Sequence, residues 1–453
     1  MEVRKHGYND IIKEVMIMLL EFSCSNYKSI YKKAKLSMLA SNDDTRENEL
    51  ILFEKYRINR MAAIYGPNGS GKTNVLKAIN FAKRLVLDSM KREPGDSLKV
   101  PTHKLAKEDE PTEFAFQFVT SGIRYAYGFS VIKDSIDEEY LFYFPKNRQT
   151  KIFSRKGLNV DAGTSFKKFS DASIEPLKNN RLFLACAANY TNVNEIENAY
   201  MFFKSELRFF NSLNEGNRMF GRAVEFLQGH PELKATYLKI MDYLDTGIKD
   251  IEARSEKITP EEIQALGKLP ESLRKALADQ DISMLETTVY YDKFKTDLET
   301  EESTGIKKLF VFLYPYLDVL QSGRVLICDE IETGLHESIV AGILKLFSQL
   351  YPETNAQIIF STHDTGLLDG ELFRRDQIWF TELDEKRSTD LYSLAEIRNV
   401  RKTESLKRGY FSGKYGAIPV LNSNIYKDIL LEFQSLDMKS ESSDSFSEVN
   451  EEE

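Results

Sequence analysis

Eight residues, Gly66-Pro67-Asn68-Gly69-Ser70-Gly71-Lys72-Thr73, constrain this chain more than any other stretch. They match G-x-x-x-x-G-K-[ST], and they lie between an apolar run, Met61 to Tyr65, and a segment with Val75, Leu76, Ile79 and Ala82 at helical spacing. The context predicts strand, tight loop, helix. Glycines at these positions let backbone N–H groups close around a phosphate, and the helix N-terminus adds positive potential. With glycine at about 7% of residues, accident would supply the four fixed positions in roughly 0.02 chains of this length. The expected ligand is ATP, with Gly66 to Thr73 around the β-phosphate, Lys72 reaching the β- and γ-phosphates and the Thr73 hydroxyl on Mg²⁺.

A second apolar run, Val325-Leu326-Ile327-Cys328, ends in Asp329-Glu330. Side chains alternate along a strand, so the adjacent acids are expected to differ in role. Asp329 would hold the Mg²⁺ shell and Glu330 would polarise the attacking water, the division of labour phosphoryl transfer needs. A solvated strand end is the bland alternative. His363 follows another apolar run, Ala356 to Phe360, and is placed to bond the γ-phosphate; a plain loop histidine is its alternative. Ser303-Thr304-Gly305 opens a helical run containing Ile306, Leu309, Phe310 and Leu313, so it is either an anion seat or an ordinary N-cap.

Strand and helix patterns alternate near both ends, which predicts one α/β head assembled from distant segments. The expected divisions are an N-terminal extension (1–17), the head with the phosphate loop (18–95) and an antiparallel β subdomain (96–165). A mainly helical insertion (166–290), the second part of the head (291–436) and an acidic, disordered tail (437–453) complete the series. The β subdomain rests on a hairpin: Phe114, Phe116 and Phe118 alternate on one arm, Tyr125, Tyr127 and Phe129 on the other, with Ser121-Gly122 between them. The insertion rests on spacing such as Phe202, Leu207, Phe210 and Leu213, interrupted by Pro231, Pro260 and Pro270.

Net charge is −9, and residues 437–453 hold seven acids and one lysine, so the rest carries only −3. A whole-chain electrostatic case for nucleic acid therefore fails, although Lys146 to Lys156 and Arg398 to Arg408 leave a local basic surface open. Cys24, Cys186 and Cys328 show no pairing or metal-ligand spacing, which suits a reducing cytoplasm. The apolar run Val15 to Leu20 is too short to span a bilayer and reads as a first buried strand.

Phosphate loop, long insertion, Ser-Thr-Gly helix start, Asp-Glu strand and His after a strand, in that order, resemble the ABC-type ATPases, more closely their soluble RecF, SMC-like and OLD-like branch. Asn26-Tyr27-Lys28-Ser29 is similar to that branch's N-F-[RK]-S stretch, and Gly334-Leu335-His336 is typical of it. Within the branch the chain resembles the bacterial AbiL/RloA-type group, which includes the AriA subunit of the PARIS antiphage system. The resemblance rests on Glu302 to Lys307, on Ser361-Thr362-His363-Asp364 with Leu372 to Gln377, and on Gly409 to Pro419. Two departures stand out. Thr304 replaces the usual glycine, and the glutamine that links core to appended domain has only Gln117 and Gln149 as candidates.

The resemblance implies an ABC-type P-loop NTPase head with a mixed sheet and Lys28 among the nucleotide-binding residues. It implies head-to-tail pairing, in which Ser303, Thr304 and Gly305 of one copy meet ATP held by the other. It further implies a regulatory ATPase of a defence system that controls a separate, Toprim-like nuclease, because the residues after His363 hold no D-x-D cluster. The alternatives are a RecF-like DNA-repair ATPase that binds DNA directly and a transporter subunit. The 257 residues between Lys72 and Asp329 make the transporter the weakest.

Overall fold

In a computed structural model of the chain, residues 16–166, 174–211, 216–257, 283–349, 354–419 and 425–433 are described. The chain divides into two units, Met1–Ala417 and Ile418–Glu453. In the second, the described residues include a helix over 425–433 with Ile425, Ile429 and Phe433 exposed on one side. The expected acidic tail and N-terminal extension, Leu213, Pro260 and Pro270 lie outside the described residues, save Met16 and Ile17 of the extension.

The first unit is built on two large sheets. One has six strands in the order Leu207–Asn211, Val325–Asp329, Gln357–Ser361, Met61–Tyr65, Ile378–Leu383, Thr389–Ser393. The first five run parallel and the last antiparallel, giving the mixed sheet of an α/β fold. Its middle strands are buried along their whole length and mainly apolar, because helices pack over parallel strands and no face meets water; every residue of Met61–Tyr65 and Gln357–Ser361 is buried, the polar Gln357 and Ser361 at the two ends of their strand included.

The other sheet is antiparallel with seven strands: Asn159–Ala162, Thr150–Lys156, Ser135–Tyr143, Ile123–Ile132, Thr112–Thr120, Met18–Ser25, Ala34–Ser37. The hairpin expected from the aromatic alternation forms in register, with Phe114 opposite Phe129, Phe116 opposite Tyr127 and Phe118 opposite Tyr125. Ser121 and Gly122 both have positive φ (49° and 67°), the requirement of a two-residue turn that matches strand twist. A buried Arg155–Glu139 pair closes this subdomain; Glu139 also accepts the N–H groups of Phe183 and Leu184, stitching the sheet to the helix Phe183–Tyr190.

Met18–Ser25, the buried strand expected from the apolar run, pairs with Thr112–Thr120 in the antiparallel sheet. One sequence reading is corrected. Phe202, Leu207 and Phe210 do not share a helix. The helix Asn194–Met201 unwinds through Phe202–Glu206, and Leu207–Asn211 becomes the edge strand beside Val325–Asp329. Pro231 opens a helix, Pro231–Tyr243, where its missing N–H costs nothing. The side chain of Gln357 bonds the two large sheets. The fully buried Gln357 amide accepts from Leu19 N (2.7 Å) and donates to the carbonyls of Leu19 (3.1 Å) and Asn59 (3.0 Å).

Candidate functional site

The strand Met61–Tyr65 delivers the chain to Gly66 at its C-terminal edge, and the helix Lys72–Leu87 begins at the end of the loop. Gly66, Gly69 and Gly71 have φ of 153°, 78° and 110°, which only glycine adopts without strain. The loop is backed by two threonines, Thr381 from the adjoining strand Ile378–Leu383 and Thr389 from the edge strand beyond it. A Cβ at Gly66 would meet Thr381 O at 2.4 Å, and one at Gly71 would meet the Thr389 hydroxyl at 2.1 Å. Thr381 bonds the Ser70 hydroxyl at 2.6 Å and Thr389 donates to Ser70 O at 2.9 Å. At Gly69 an added Cβ meets nothing within 4 Å, so the cradle is open at its tip.

Opposite the loop stand the ends of Gln357–Ser361, the neighbouring strand, and of Val325–Asp329 beyond it. Thr73 donates to Asp329 Oδ1 at 3.1 Å. Adjacent oxygens on an octahedral Mg²⁺ lie about 2.9 Å apart, given metal–oxygen distances near 2.0–2.1 Å, so this hydroxyl–carboxylate pair fits one such ion. Among the described residues no cluster of three or more His, Cys, Asp or Glu makes a protein-only metal cage. Mg²⁺ bound by one carboxylate, one hydroxyl and phosphate oxygens needs none.

Ser361, buried at the end of its strand, organises both acids. Its hydroxyl donates to Asp329 Oδ1 (2.6 Å) and accepts from Glu330 N (2.8 Å). The two acids do diverge, but not through strand alternation. The strand ends at Asp329, and Glu330 has left-handed backbone (φ 51°), which sends its carboxylate to the Thr333 hydroxyl at 3.2 Å. A non-glycine residue in that region costs of order 1 kcal/mol, and such outliers cluster where function fixes a side chain.

Lys72 is buried and folded back on the loop, donating to Gly66 O (2.8 Å) and Pro67 O (3.2 Å). Loss of solvent pulls its pKa from 10.5 to about 8, opposed by the charges of Glu330, Glu332 and Asp329. His363 lies nearer than its place in the sequence implies, because Gln357–Ser361 pairs directly with the phosphate-loop strand. Its Nδ1 is 3.4 Å from Lys72 Nζ. A protonated lysine only donates, so Nδ1 accepts and the ring proton sits on Nε2. Burial, then the Lys72 charge, lower the imidazole pKa below its ordinary value, which keeps it neutral near pH 7. Nε2–H is thereby available to an anion.

Glu332, absent from the sequence reading, accepts from His363 N at 2.6 Å. Its other oxygen is buried without a hydrogen-bond partner among the described residues, an unpaired acceptor of the kind that ligand or water completes. Sequence could have flagged it only as a third carboxylate two residues past Glu330.

Lys28 lies at the border. Its neighbour Ser29 bonds Asn74 and Thr389 (both 2.7 Å), while Lys28 itself has left-handed backbone and lines a cleft with His103, Lys104, Lys386 and Arg387. Pro67 and Asn68 complete the loop. Ser303 caps its own helix, Thr304–Ser322, by accepting from Ile306 N at 3.3 Å, and Ser303 and Thr304 are exposed with Gly305 beside them. Glu302 is clasped by Thr296 from the three-stranded sheet Asp250–Lys257, Ser283–Tyr290, Lys295–Asp297 and by Tyr291 (2.9 Å) just past its second strand. Gln117 bonds Glu21 and Arg124, not a site residue, and Gln149 is exposed. Arg374, Arg375 and Asp376 form an ion-paired staple on Asp43. Of the stretch Gly409 to Pro419, the part up to Ala417 packs on the last strands, Tyr410 stacking on Phe380. The cysteines are buried and free.

The fold is the α/β class expected from the sequence, with a large mixed and a large antiparallel sheet. Solved structures similar to the chain include an "SmcHead bound to the C-winged helix domain of ScpA" (16% identity, 83% of this chain and 97% of that one, TM-score 0.39). Others are the SMC head domain from Thermotoga maritima (12%, 83% and 98%, 0.39) and an Smc head domain with extended coiled coil bound to the C-terminal domain of ScpA derived from Pyrococcus furiosus (15%, 88% and 99%, 0.36). No curated protein matches the chain. Residues 61–369 match the family model AAA_21, described as "AAA domain, putative AbiEii toxin, Type IV TA system". That segment, about two-thirds of the chain, holds both halves of the site, and the chain belongs to this family of P-loop ATPases.

Proposed function

We propose that the chain hydrolyses ATP in a head-to-tail homodimer, as the sensor or regulatory subunit of a bacterial antiphage system of the abortive-infection kind. It controls a separate effector, a Toprim-like nuclease by class. The observation that carries the ATPase reading is the convergence of Thr73, Asp329, Ser361 and Glu330 across the loop from Lys72 and His363. Mg²⁺, held by Thr73 and Asp329 with phosphate oxygens, would neutralise charge on the triphosphate. Lys72 holds the β- and γ-phosphates, Glu330 orients water, and His363 Nε2–H contacts the γ-phosphate. Ser303, Thr304 and Gly305, exposed at a helix start, suit an anion brought by a second copy. The family description supports the defence role.

The alternative of a DNA-binding repair ATPase draws less support from the charges. In Lys146 to Lys156, Lys151, Arg155 and Lys156 are paired with Asp161, Glu139 and Glu138; in Arg398 to Arg408, Lys402 is paired with Asp44. No helix among the described residues is long and apolar enough to cross a membrane.

Phosphate release, light scattering and phage challenge test the reading. With ATP, Glu330→Gln is expected to lose turnover at least 100-fold and accumulate at twice the monomer mass. Ser303→Arg should keep nucleotide binding and lose the dimer. Lys72→Ala should lose nucleotide binding and, in cells carrying the locus, protection against phage. A Glu330→Gln chain as fast as the parent removes the ATPase reading; a Lys72→Ala chain that still protects removes the defence role.

A further inference from the structure

Three contacts join the helix that opens at Ser303 to the carboxylate of Glu330. Lys308, on the second turn of Thr304–Ser322, donates from Nζ to Thr333 O at 2.9 Å. Its side chain lies flat on Gly334, where an added Cβ would stand 3.0 Å from Lys308 Cδ and 3.1 Å from Nζ. Gly305, one turn earlier, comes equally close: a Cβ there would sit 3.2 Å from Gly334 O. The turn so gripped is the one that holds Glu330, since Thr333 donates its hydroxyl to Glu330 Oε2 (3.2 Å) and its N–H to Glu330 O (3.1 Å).

We infer that Lys308 is a positioning residue for ATP hydrolysis, fixing Glu330 through Thr333 so that the anion seat at Ser303 and the water-orienting carboxylate form one rigid piece. The inference rests on Glu330 being that carboxylate. Lysine suits this position because four methylenes cover Gly334 while the ammonium ties down one carbonyl. The Glu330 backbone is held in a conformation it would not choose, so its direction depends on outside restraint. A carboxylate misplaced by an ångström costs up to about 100-fold in rate.

Lys308→Met separates this role from packing, because the stem remains and only the ammonium is lost. Turnover should fall about tenfold with affinity for a non-hydrolysable ATP analogue unchanged, and Lys308→Arg should restore it. Thr333→Val should show the same loss and Thr333→Ser recover it. The Lys308→Met, Thr333→Val double variant should lose about tenfold rather than 100-fold, since both act on one path. Parental turnover in Lys308→Met, or multiplicative losses in the double variant, overturn the inference while Glu330→Gln remains inactive. Full turnover in Glu330→Gln overturns the ATPase reading along with it.

Discussion

Lys72 makes the affinity for ATP depend on pH in a way that can be worked out from its surroundings. Lys72 is 5% exposed, and the hydrogen-bond partners of its ammonium are the carbonyls of Gly66 and Pro67 and the ring of His363. Desolvation brings its pKa to about 8 in the nucleotide-free protein. Below that pH the lysine meets the triphosphate already charged. Above it the lysine is neutral, binding must take up a proton, and Kd rises towards tenfold per pH unit. From pH 7 to 9.5 the expected rise is about 30-fold, or ~2 kcal/mol at 1.36 kcal/mol per unit. His363, lowered from 6.5, does not titrate in that window. Calorimetry with the imido analogue of ATP, in buffers of different protonation enthalpy, should show about half a proton taken up at pH 8. Lys72→Arg, which stays charged, should flatten the profile. A Kd constant to pH 9.5 in the parent, or a slope that survives in Lys72→Arg, refutes the reasoning.

Gly71→Ala places a Cβ against the Thr389 hydroxyl at φ 110°, so analogue binding should be lost, as a binding titration would show. Gln357→Leu removes the bonds to Leu19 and Asn59 between the sheets and should destabilise by about 2–5 kcal/mol in denaturant melts. Arg155→Met leaves Glu139 buried without its cation and should cost about 3–5 kcal/mol by the same measurement, with analogue affinity in surviving protein unchanged.

How much of this was legible depends on whether a residue's duty is local. The phosphate loop was, because its glycines answer to their own backbone angles. Asp329 was too, sitting where an apolar run stops. Ser361 was not readable as the hub of the two acids, nor Thr381 and Thr389 as the backing of the loop. A buried hydroxyl whose partners lie dozens to hundreds of residues away leaves no periodic trace. Leu207–Asn211 misled for a related reason: a few apolar residues satisfy a helical and an extended period alike, and only the neighbour Val325–Asp329 decides. Glu330 was assigned its separate direction on the wrong ground, since the turn of its backbone, not strand alternation, produces it.

The sheet that carries the phosphate loop also sets a timetable for biosynthesis. Met61–Tyr65 leaves the ribosome early, yet its partners Gln357–Ser361 and Ile378–Leu383 follow some 300 residues later. At roughly 5–20 residues per second, the apolar strand waits about 15–60 s for either neighbour. During that interval the nascent chain exposes an unpaired, wholly apolar edge, the kind of surface that holdase chaperones cover.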